Sequence, residues 1–352
     1  MTLSLGSTEV NPAAVWQMRS YREGDIPAIV EFINAVDAVD QTGRATSVPE
    51  LTESYAMPLS DPQRQVVILE APELSGLGKG SIAGYARMLW LDDTATGERI
   101  YQIGTLAAHP GAKGLGIERA LAVRLMEIAR ANEAREETAP MEKVWVLGGA
   151  KEKMSAIRDL YKEMGLKEVR WGWKMERSLV DAIAEPQPVE GTVLRNYRRP
   201  EDNPQFLEAY DASFIDHFEY HALPADMFDY MLGTAHVRPE FSWLAEVEGE
   251  AGKLAGFCLC EINDAENARS GKLEGWIALL GTVRGWRGKG LGRALLLKGL
   301  LSLREAGMET ALLGVDSESP TGANRLYESV GFKIRDYEVL CKGALADVVI
   351  SA

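Results

Sequence analysis

The sequence predicts two domains of mixed α/β fold, built on one plan. Two landmarks recur 176 residues later: Arg-Ser-Tyr-Arg at 19–22 returns as Arg-Asn-Tyr-Arg at 195–198, and Lys-Gly-Leu-Gly at 113–116 returns at 289–292. A chain of 352 residues is long for a single hydrophobic core and suits two. Within each half, strand-like runs precede a strand, helix and strand in succession, which is typical of a mixed sheet flanked by helices. We therefore expect a duplicated α/β domain.

The second half shows the plan most clearly. Alternating or continuous apolar runs predict strands, and apolar residues three and four apart predict helices. The predicted strands are 192–197, 241–247, 254–262, 275–283, 311–315 and 336–342, and the predicted helices are 204–217, 224–232, 293–304 and 321–329. Gly307 is expected to end the leucine-rich helix.

The first half follows the same order. The predicted elements are a hairpin of 65–70 with 81–89, a strand at 99–108, a helix at 117–131 and a strand at 144–147. Between the halves, residues 181–191 contain two prolines and a glycine without apolar periodicity, which indicates a linker near residue 185. We expect an N-terminal tail at 1–15, a first domain at 16–180 and a second at 192–345, each with a mostly antiparallel sheet.

Composition excludes several classes of protein. The chain is 46% hydrophobic and 26% charged, which is typical of a soluble globular protein, and no apolar run approaches the roughly 18 residues of a membrane span. No secretory signal pattern begins the chain, so we expect a cytoplasmic protein. The net charge of −14 argues against nucleic acid as a partner. The cysteines Cys258, Cys260 and Cys341 predict reduced buried thiols, with neither a disulfide framework nor a metal site.

A glycine-rich turn at 287–292 is the candidate ligand loop. It follows an apolar strand and precedes the leucine-rich helix, so it gathers unpaired backbone N–H groups, a helix N-terminus and cationic side chains in one place. The alternative interpretation is that the glycines only allow the chain to turn and bind no ligand. The turn does not match a Walker loop, because the lysine and the hydroxyl residue of that motif are missing. It does not match a Rossmann fingerprint either, because Arg293 stands where the third glycine of that motif belongs. The favoured ligand is a small anion such as a pyrophosphate.

The turn resembles the acyl-CoA loop of the GNAT superfamily of N-acyltransferases, whose signature is similar to [QR]-x-x-G-x-[GA]. Arg287, Gly290 and Gly292 match it, and the segment 323–332 resembles the family's A-x-x-L-Y-x-x-x-G-F helix end. Its Leu-Tyr pair also recurs 166 residues earlier, in the first half. The segment 213–218 is similar to the acceptor side of the tandem GNAT group that includes mycothiol synthase. The resemblance covers 193–343 well and 17–177 weakly.

The resemblance implies the roles of the site residues. The backbone of the loop would cradle the CoA pyrophosphate, and Ser319 or Asn324 would stand near the pantetheine arm. The implied acetyl-CoA site comprises Val283, Arg287, Gly288, Lys289, Gly290, Leu291, Gly292, Arg293, Ser319 and Asn324. Tyr327 would act as general acid near the thioester sulfur; the alternative is an aromatic core residue. Backbone N–H groups near 279–281 would stabilise the oxyanion.

A primary amine with a pKa near 10.4 must lose a proton before it attacks a thioester, so a base or water chain is expected near the acceptor. Glu274 is the leading candidate, with a solvated strand-end charge as the alternative interpretation. Asp216, His217 and Asp316 follow it. The predicted function is transfer of an acetyl group from acetyl-CoA to a small-molecule primary amine in the second domain. The acidic balance favours a cationic acceptor, and a CoA-binding sensor without catalysis is the alternative.

The first half is interpreted as a degenerate copy. With the two Lys-Gly-Leu-Gly runs aligned, Gly111 takes the place of Arg287, and the His-Pro pair at 109–110 lies about two residues too close to the loop. The turn would then be too short to surround a pyrophosphate. We expect this domain not to bind CoA productively and to act as a scaffold.

Overall fold

The computed structural model describes residues 2–3, 16–73, 75–93, 95–135, 138–218 and 220–351. The chain forms two compact units. The first contains the described residues up to Val169 and those from Val339 onward, and the second contains Arg170–Glu338. The predicted linker at 181–191 belongs to the second unit. Of the predicted tail at 1–15, all but Thr2 and Leu3 lie outside the described residues.

The first unit contains a sheet with helices packed against it. Its strands are β1 (Thr2–Leu3), β2 (Trp16–Ser20), β3 (Val66–Glu70), β4 (Ile82–Asp93), β5 (Glu98–Ala108) and β6 (Lys143–Lys151). Its helices are α1 (Ile26–Asp40), α2 (Val48–Tyr55), α3 (Pro62–Gln65), α4 (Ile117–Glu133) and α5 (Ser155–Glu163). The strands lie in sequence order, antiparallel except for the parallel pair of β5 and β6.

The second unit repeats the plan. It takes residues 170–178 of β7 (Lys167–Ser178) and residues 333–338 of β13 (Lys333–Ala344). Its other strands are β8 (Thr192–Asn196), β9 (Trp243–Val247), β10 (Leu254–Glu261), β11 (Glu274–Thr282) and β12 (Thr310–Asp316), and its helices are α6 (Asn203–Phe214), α7 (Ala225–Gly233), α8 (Asp264–Ser270), α9 (Leu291–Glu305) and α10 (Ala323–Ser329). The sheet order is β7-β12-β11-β10-β9-β8, with β11 and β12 parallel and the other neighbours antiparallel.

The recurring Arg-x-Tyr-Arg landmark is a structural network. Arg195 donates to both carboxylate oxygens of Asp202, at 2.6 and 2.9 Å, and to a glutamate of the neighbouring strand. Arg19 makes the same contacts with Asp25, at 2.7 and 2.9 Å, and with a glutamate of its own neighbouring strand. Bidentate arginine–carboxylate pairs fix geometry as well as charge. The landmark therefore ties β2 to the start of α1 in the first unit and β8 to the start of α6 in the second.

The leucine-rich helix α9 is the centre of the second unit's main core. Its leucines at 295, 296, 297, 300 and 303 are at most 3% exposed and pack with residues of β10, β11 and β12. Burial of one leucine side chain stabilises a fold by about 2 kcal/mol. The helix ends before Gly307, which has a φ of +86°, as predicted.

The predicted mixed α/β class is confirmed, with a mostly antiparallel sheet in each unit. The three cysteines are buried and form no disulfide. Within the described residues, no group of His, Cys, Asp and Glu side chains has the arrangement of a metal site. No helix of the described part is long and apolar enough to cross a membrane.

Candidate active site

The second unit contains a cavity of about 460 Å³ where two parallel strands separate. β11 pairs with β12 only from Glu274 to Trp276, and beyond Trp276 the two strands diverge. Opposite β10 the register of β11 shifts next to Ala278, which marks a bulge at the same point. The cavity is lined by β11 residues 277–282, the glycine loop, the ends of α6 and β12, and the start of α10. The predicted loop and the predicted tyrosine thus border one space.

The glycine loop has a backbone conformation that needs glycine. After β11 ends at Thr282, residues Arg284–Trp286 form a 3-10 turn, and Gly288 and Gly290 follow with φ of +75° and +87°. Residues with a side chain rarely adopt such angles. A Cβ atom at Gly288 or Gly290 would meet no atom within 4 Å, so the space above the loop is open.

The amides at the start of α9 supply the anion-binding end of the cavity. Gly290 caps the helix, and the first intrahelical bond runs from the Ala294 N–H to the Gly290 carbonyl at 3.0 Å. The helix itself therefore cannot satisfy the N–H groups of Leu291, Gly292 and Arg293. These donors and the helix dipole suit a phosphate or pyrophosphate. The Val283 N–H, by contrast, donates to the Ala255 carbonyl at 2.9 Å and belongs to the fold.

The predicted cationic side chains differ in their surroundings. The Nζ of Lys289 lies 4.6 Å from the centre of the Trp286 ring, and Nη1 of Arg293 donates to the Ser329 hydroxyl at 2.8 Å. Arg287 forms an ion pair with Asp216 at 3.0 Å. Arg293 and Arg287 line the cavity, whereas Lys289 does not.

Tyr327 lies in the wall of the cavity at 7% exposure. Its ring meets the Phe332 ring edge-on at 6.0 Å between centroids. Burial, with a smaller contribution from Cys258, raises the pKa of the Tyr327 hydroxyl above its ordinary value. The raised pKa keeps the hydroxyl protonated at neutral pH. No described residue hydrogen-bonds it, so its O–H group is available as a donor.

Ser319 lines the cavity, and its hydroxyl lies 3.1 Å from the hydroxyl of Thr321. Asn324 does not line it: its side-chain amide donates to the Ser317 carbonyl at 2.8 Å, which fixes the turn before α10. The structure therefore brings one of these two predicted residues to the site.

Glu274, the leading candidate for the general base, lies away from the cavity. It begins β11, whereas the cavity lies beyond Trp276, and its carboxylate accepts from Nη1 of Arg335 at 2.6 Å. This ion pair accounts for Glu274 in structural terms, and the structure gives it no access to a bound amine.

His217 and Asp316, which the sequence ranked lower, both line the cavity. Burial first and the charge of Arg287 second lower the pKa of His217, while Asp316 and Asp216 oppose the shift. The imidazole is therefore neutral at pH 7 and able to accept a proton. Asp316 ends β12 and lies 3.4 Å from Nε of Arg170.

Ser213 is a cavity residue that the sequence analysis did not single out. It lies in the last turn of α6, is 4% exposed, and its hydroxyl has no hydrogen-bond partner among the described residues. A buried hydroxyl without a partner is costly and is expected to find one when a ligand binds. The sequence feature that could have identified Ser213 is its place in the segment 213–218, which resembles the acceptor side of the tandem GNAT group.

The first unit corrects the alignment of the two loops. β5 ends at Ala108, a 3-10 turn covers Pro110–Ala112, and Gly114 and Gly116 have φ of +79° and +74°. Each of these features precedes its counterpart in the second unit by 174 residues, not 176. The expectation of a loop two residues too short is therefore wrong. Lys113, not Gly111, occupies the place of Arg287.

The first unit differs from the second at the positions of His217 and Asp316. Its own cavity, about 110 Å³, lies beside β5 and β6 and is lined by Tyr161, the counterpart of Tyr327. The residue after Asp40 is Gln41, where the second unit has His217 after an aspartate. Lys151 ends β6, where Asp316 ends β12, and its Nζ donates to the Gln41 carbonyl at 3.3 Å. The first unit thus holds an amide and a cation at the two positions.

Comparisons with known proteins agree with this geometry. The acetyltransferase (GNAT) family matches residues 203–332, which include the cavity. A mycothiol acetyltransferase of Streptomyces griseus is 30% identical over 262 residues, covering 74% of this chain and 76% of the relative. A mycothiol acetyltransferase of Frankia alni is 27% identical over 348 residues, covering 96% and 97%.

Two solved structures resemble the whole chain. A GCN5-related N-acetyltransferase from Sphaerobacter thermophilus has a TM-score of 0.69 at 25% identity, covering 94% of this chain and 96% of that one. A tandem GNAT protein from the clavulanic acid biosynthesis pathway has a TM-score of 0.69 at 15% identity, covering 94% and 98%, and shows the fold alone. With its acyl-CoA loop in the second unit and the plan repeated in the first, the chain belongs to the GNAT family, as a tandem, acetyl-CoA-dependent N-acetyltransferase.

Proposed function

We propose that the cavity of the second unit transfers the acetyl group of acetyl-CoA to a primary amine of a small molecule, with Tyr327 as acid and His217 as base. One observation carries the proposal: a single cavity is bordered by an anion-binding turn, a protonated tyrosine and a neutral histidine. Amine acetylation needs each of these three groups: one that binds CoA, one that gives a proton to the sulfur and one that takes a proton from the amine. The turn holds the pyrophosphate of acetyl-CoA through the amides from Gly288 to Arg293.

His217 removes the proton that keeps the amine from attacking. At pH 7 deprotonation of an amine with a pKa near 10.4 costs about 4 to 5 kcal/mol. The neutral imidazole accepts this proton, and Asp316, which lines the same cavity, stabilises the imidazolium that results. The carbon–nitrogen bond then forms at the thioester carbonyl as the carbon–sulfur bond breaks.

Tyr327 supplies the proton for the leaving sulfur. Its hydroxyl is protonated well above neutral pH and has no other partner among the described residues. Transfer of this proton gives free CoA thiol, while the nitrogen releases its second proton to solvent as it becomes an amide, and His217 holds the first proton. Both groups return to their starting states by exchange with solvent.

The acceptor belongs to the small-molecule amines. The relatives from Streptomyces griseus and Frankia alni support this proposal, because both are named mycothiol acetyltransferases and mycothiol is a small molecule. Asp316, which lines the cavity, and the net charge of −14 favour an amine that arrives as a cation.

The loop is tested by a charge placed in its open space. Gly290→Glu adds a carboxylate where the pyrophosphate is expected, and calorimetry should show that acetyl-CoA binding is lost. Gly249→Glu is the matched control, because Gly249 also has a positive φ (+77°) and no neighbour within 4 Å, but lies in the β9–β10 turn. Equal binding by the two variants would refute the proposed site.

The reaction is tested by thiol release from acetyl-CoA with a panel of primary amines that includes glucosamine, ethanolamine and lysine. Turnover should depend on the amine and fall about a hundredfold or more in Tyr327→Phe and His217→Gln. Amine-dependent thiol release that both variants retain would refute the assigned roles.

A further inference from the structure

The Arg287 side chain is directed to the acceptor side of the cavity although it belongs to the CoA loop. Each of its three nitrogens donates to the protein: Nε to the Thr282 carbonyl at 3.1 Å, Nη1 to Asp216 at 3.0 Å and Nη2 to the Ser213 carbonyl at 2.9 Å. A guanidinium engaged on three sides has a fixed orientation. The contacts join the end of β11 to the end of α6.

The segment that Arg287 holds carries the histidine of the site. α6 ends at Phe214, and Asp216 is the residue immediately before His217. The His217 ring meets the Phe214 ring edge-on at 4.5 Å between centroids. Asp216 also accepts from Arg284 of the 3-10 turn, so two arginines of the loop meet one carboxylate. Movement of Asp216 would therefore move the imidazole.

The first unit retains this link without the histidine. Lys113, in the place of Arg287, forms an ion pair with Asp40 at the end of α1. The next residue is Gln41. The same connection between loop and helix end thus occurs in both units, which identifies it as a built feature of the domain plan and not a chance surface contact.

We propose that Asp216 and Arg287 form a clasp that positions the His217 imidazole in the cavity, so that Arg287 serves the acceptor side and is not a phosphate ligand. The inference rests on the proposed function for the role of His217. The clasp residues are positioning residues, because they act through the imidazole. The backbone amides of the loop remain the groups for the pyrophosphate.

The clasp is tested in Asp216→Asn and Arg287→Gln with Lys253→Gln as control, since Lys253 forms a surface ion pair with Glu250 and neither residue lines the cavity. Calorimetry with acetyl-CoA should give dissociation constants within about twofold of wild type in all three. The kcat/KM for the best amine of the panel should fall about tenfold to a hundredfold in the two clasp variants. Arg287→Lys should recover part of the loss.

A titration of the histidine resonances separates positioning from through-space charge. The chain has four histidines, and His217→Gln assigns the signal. The groups facing His217 are Arg287, Asp316 and Asp216. Loss of the Asp216 charge alone would lower the pKa of His217 further, whereas release of the ring from its buried position raises it. We expect Asp216→Asn to raise this pKa towards about 6.5.

A lowered or unchanged pKa in Asp216→Asn would overturn the clasp, as would weaker acetyl-CoA binding as the main effect of Arg287→Gln. If wild type acetylates an amine and His217→Gln does not, while Asp216→Asn is fully active, the proposed function survives and the clasp fails. If wild type acetylates no amine, the proposed function fails, and the titration still decides the clasp.

Discussion

Replacement of Tyr327 by phenylalanine should separate catalysis from stability. Tyr327 borders the cavity and its hydroxyl makes no hydrogen bond to a described residue, so the variant breaks no hydrogen bond. The ring and its edge contact with Phe332 at 6.0 Å remain. Removal of a hydroxyl that faces the cavity and has no protein partner should change the free energy of unfolding by no more than about 0.5 kcal/mol. For a unit of this size that corresponds to a melting temperature within about 2 °C of the wild-type value.

The rate of Tyr327→Phe, by contrast, should fall. A positioned general acid contributes about 10² to 10⁴ to a rate, so we expect kcat of Tyr327→Phe to fall at least about a hundredfold, or about 2.7 kcal/mol in activation free energy. The dissociation constant of acetyl-CoA should stay within about twofold. The assays are thiol release with a saturating amine, calorimetry and thermal unfolding. A fully active variant with a lower melting temperature would refute the reasoning and make Tyr327 a core residue.

Three further results are expected. Gly290→Ala should weaken acetyl-CoA binding and cost about 1 to 2 kcal/mol of stability by denaturant unfolding, because alanine is strained at a φ of +87°; unchanged stability would contradict the loop geometry. The kcat/KM for the amine should fall towards low pH with a midpoint below the ordinary histidine value of about 6.5, since the pKa of His217 is lowered; a midpoint above pH 7 would exclude His217 as the base. Glu274→Gln should keep its rate within about twofold and lose up to about 1 kcal/mol of stability with the Arg335 ion pair, whereas a hundredfold slower variant would restore Glu274 as the base.

The elements that were predicted most accurately from the sequence are those whose structure depends on neighbouring residues. The strand, glycine turn and leucine-rich helix around 275–304 form where periodicity and turn chemistry place them, because these signals act over a few residues. The strand β7 was missed, although four apolar residues alternate from Val169 to Met175. Its pairing with β12 is a contact between residues more than 130 positions apart, which no local window contains.

The choice of base shows why the site was harder to predict. Glu274 stands at the start of the strand that forms the cavity wall, but the wall begins three residues later, where β11 and β12 diverge. Only tertiary geometry separates a carboxylate on the paired part of a strand from one at its open part. His217 and Asp316 come from a helix end and a strand end 99 residues apart, and only folding brings them to one cavity.

The alignment of the two loops explains what distinguishes the copies. Identical letters at 113–116 and 289–292 favoured a shift of 176, but the two positive-φ glycines and the helix cap, which fix the backbone, match at 174. With that register the first unit keeps the loop length, a cation in the place of Arg287 and the tyrosine at 161. What it lacks is the histidine and the aspartate, replaced by Gln41 and Lys151. A cation beside the acceptor position would repel a protonated amine and could not stabilise an imidazolium. The copies therefore differ at the proposed proton-transfer positions and also in the anion-binding turn, where Glu118 in the first turn of α4 takes the place of Gly292.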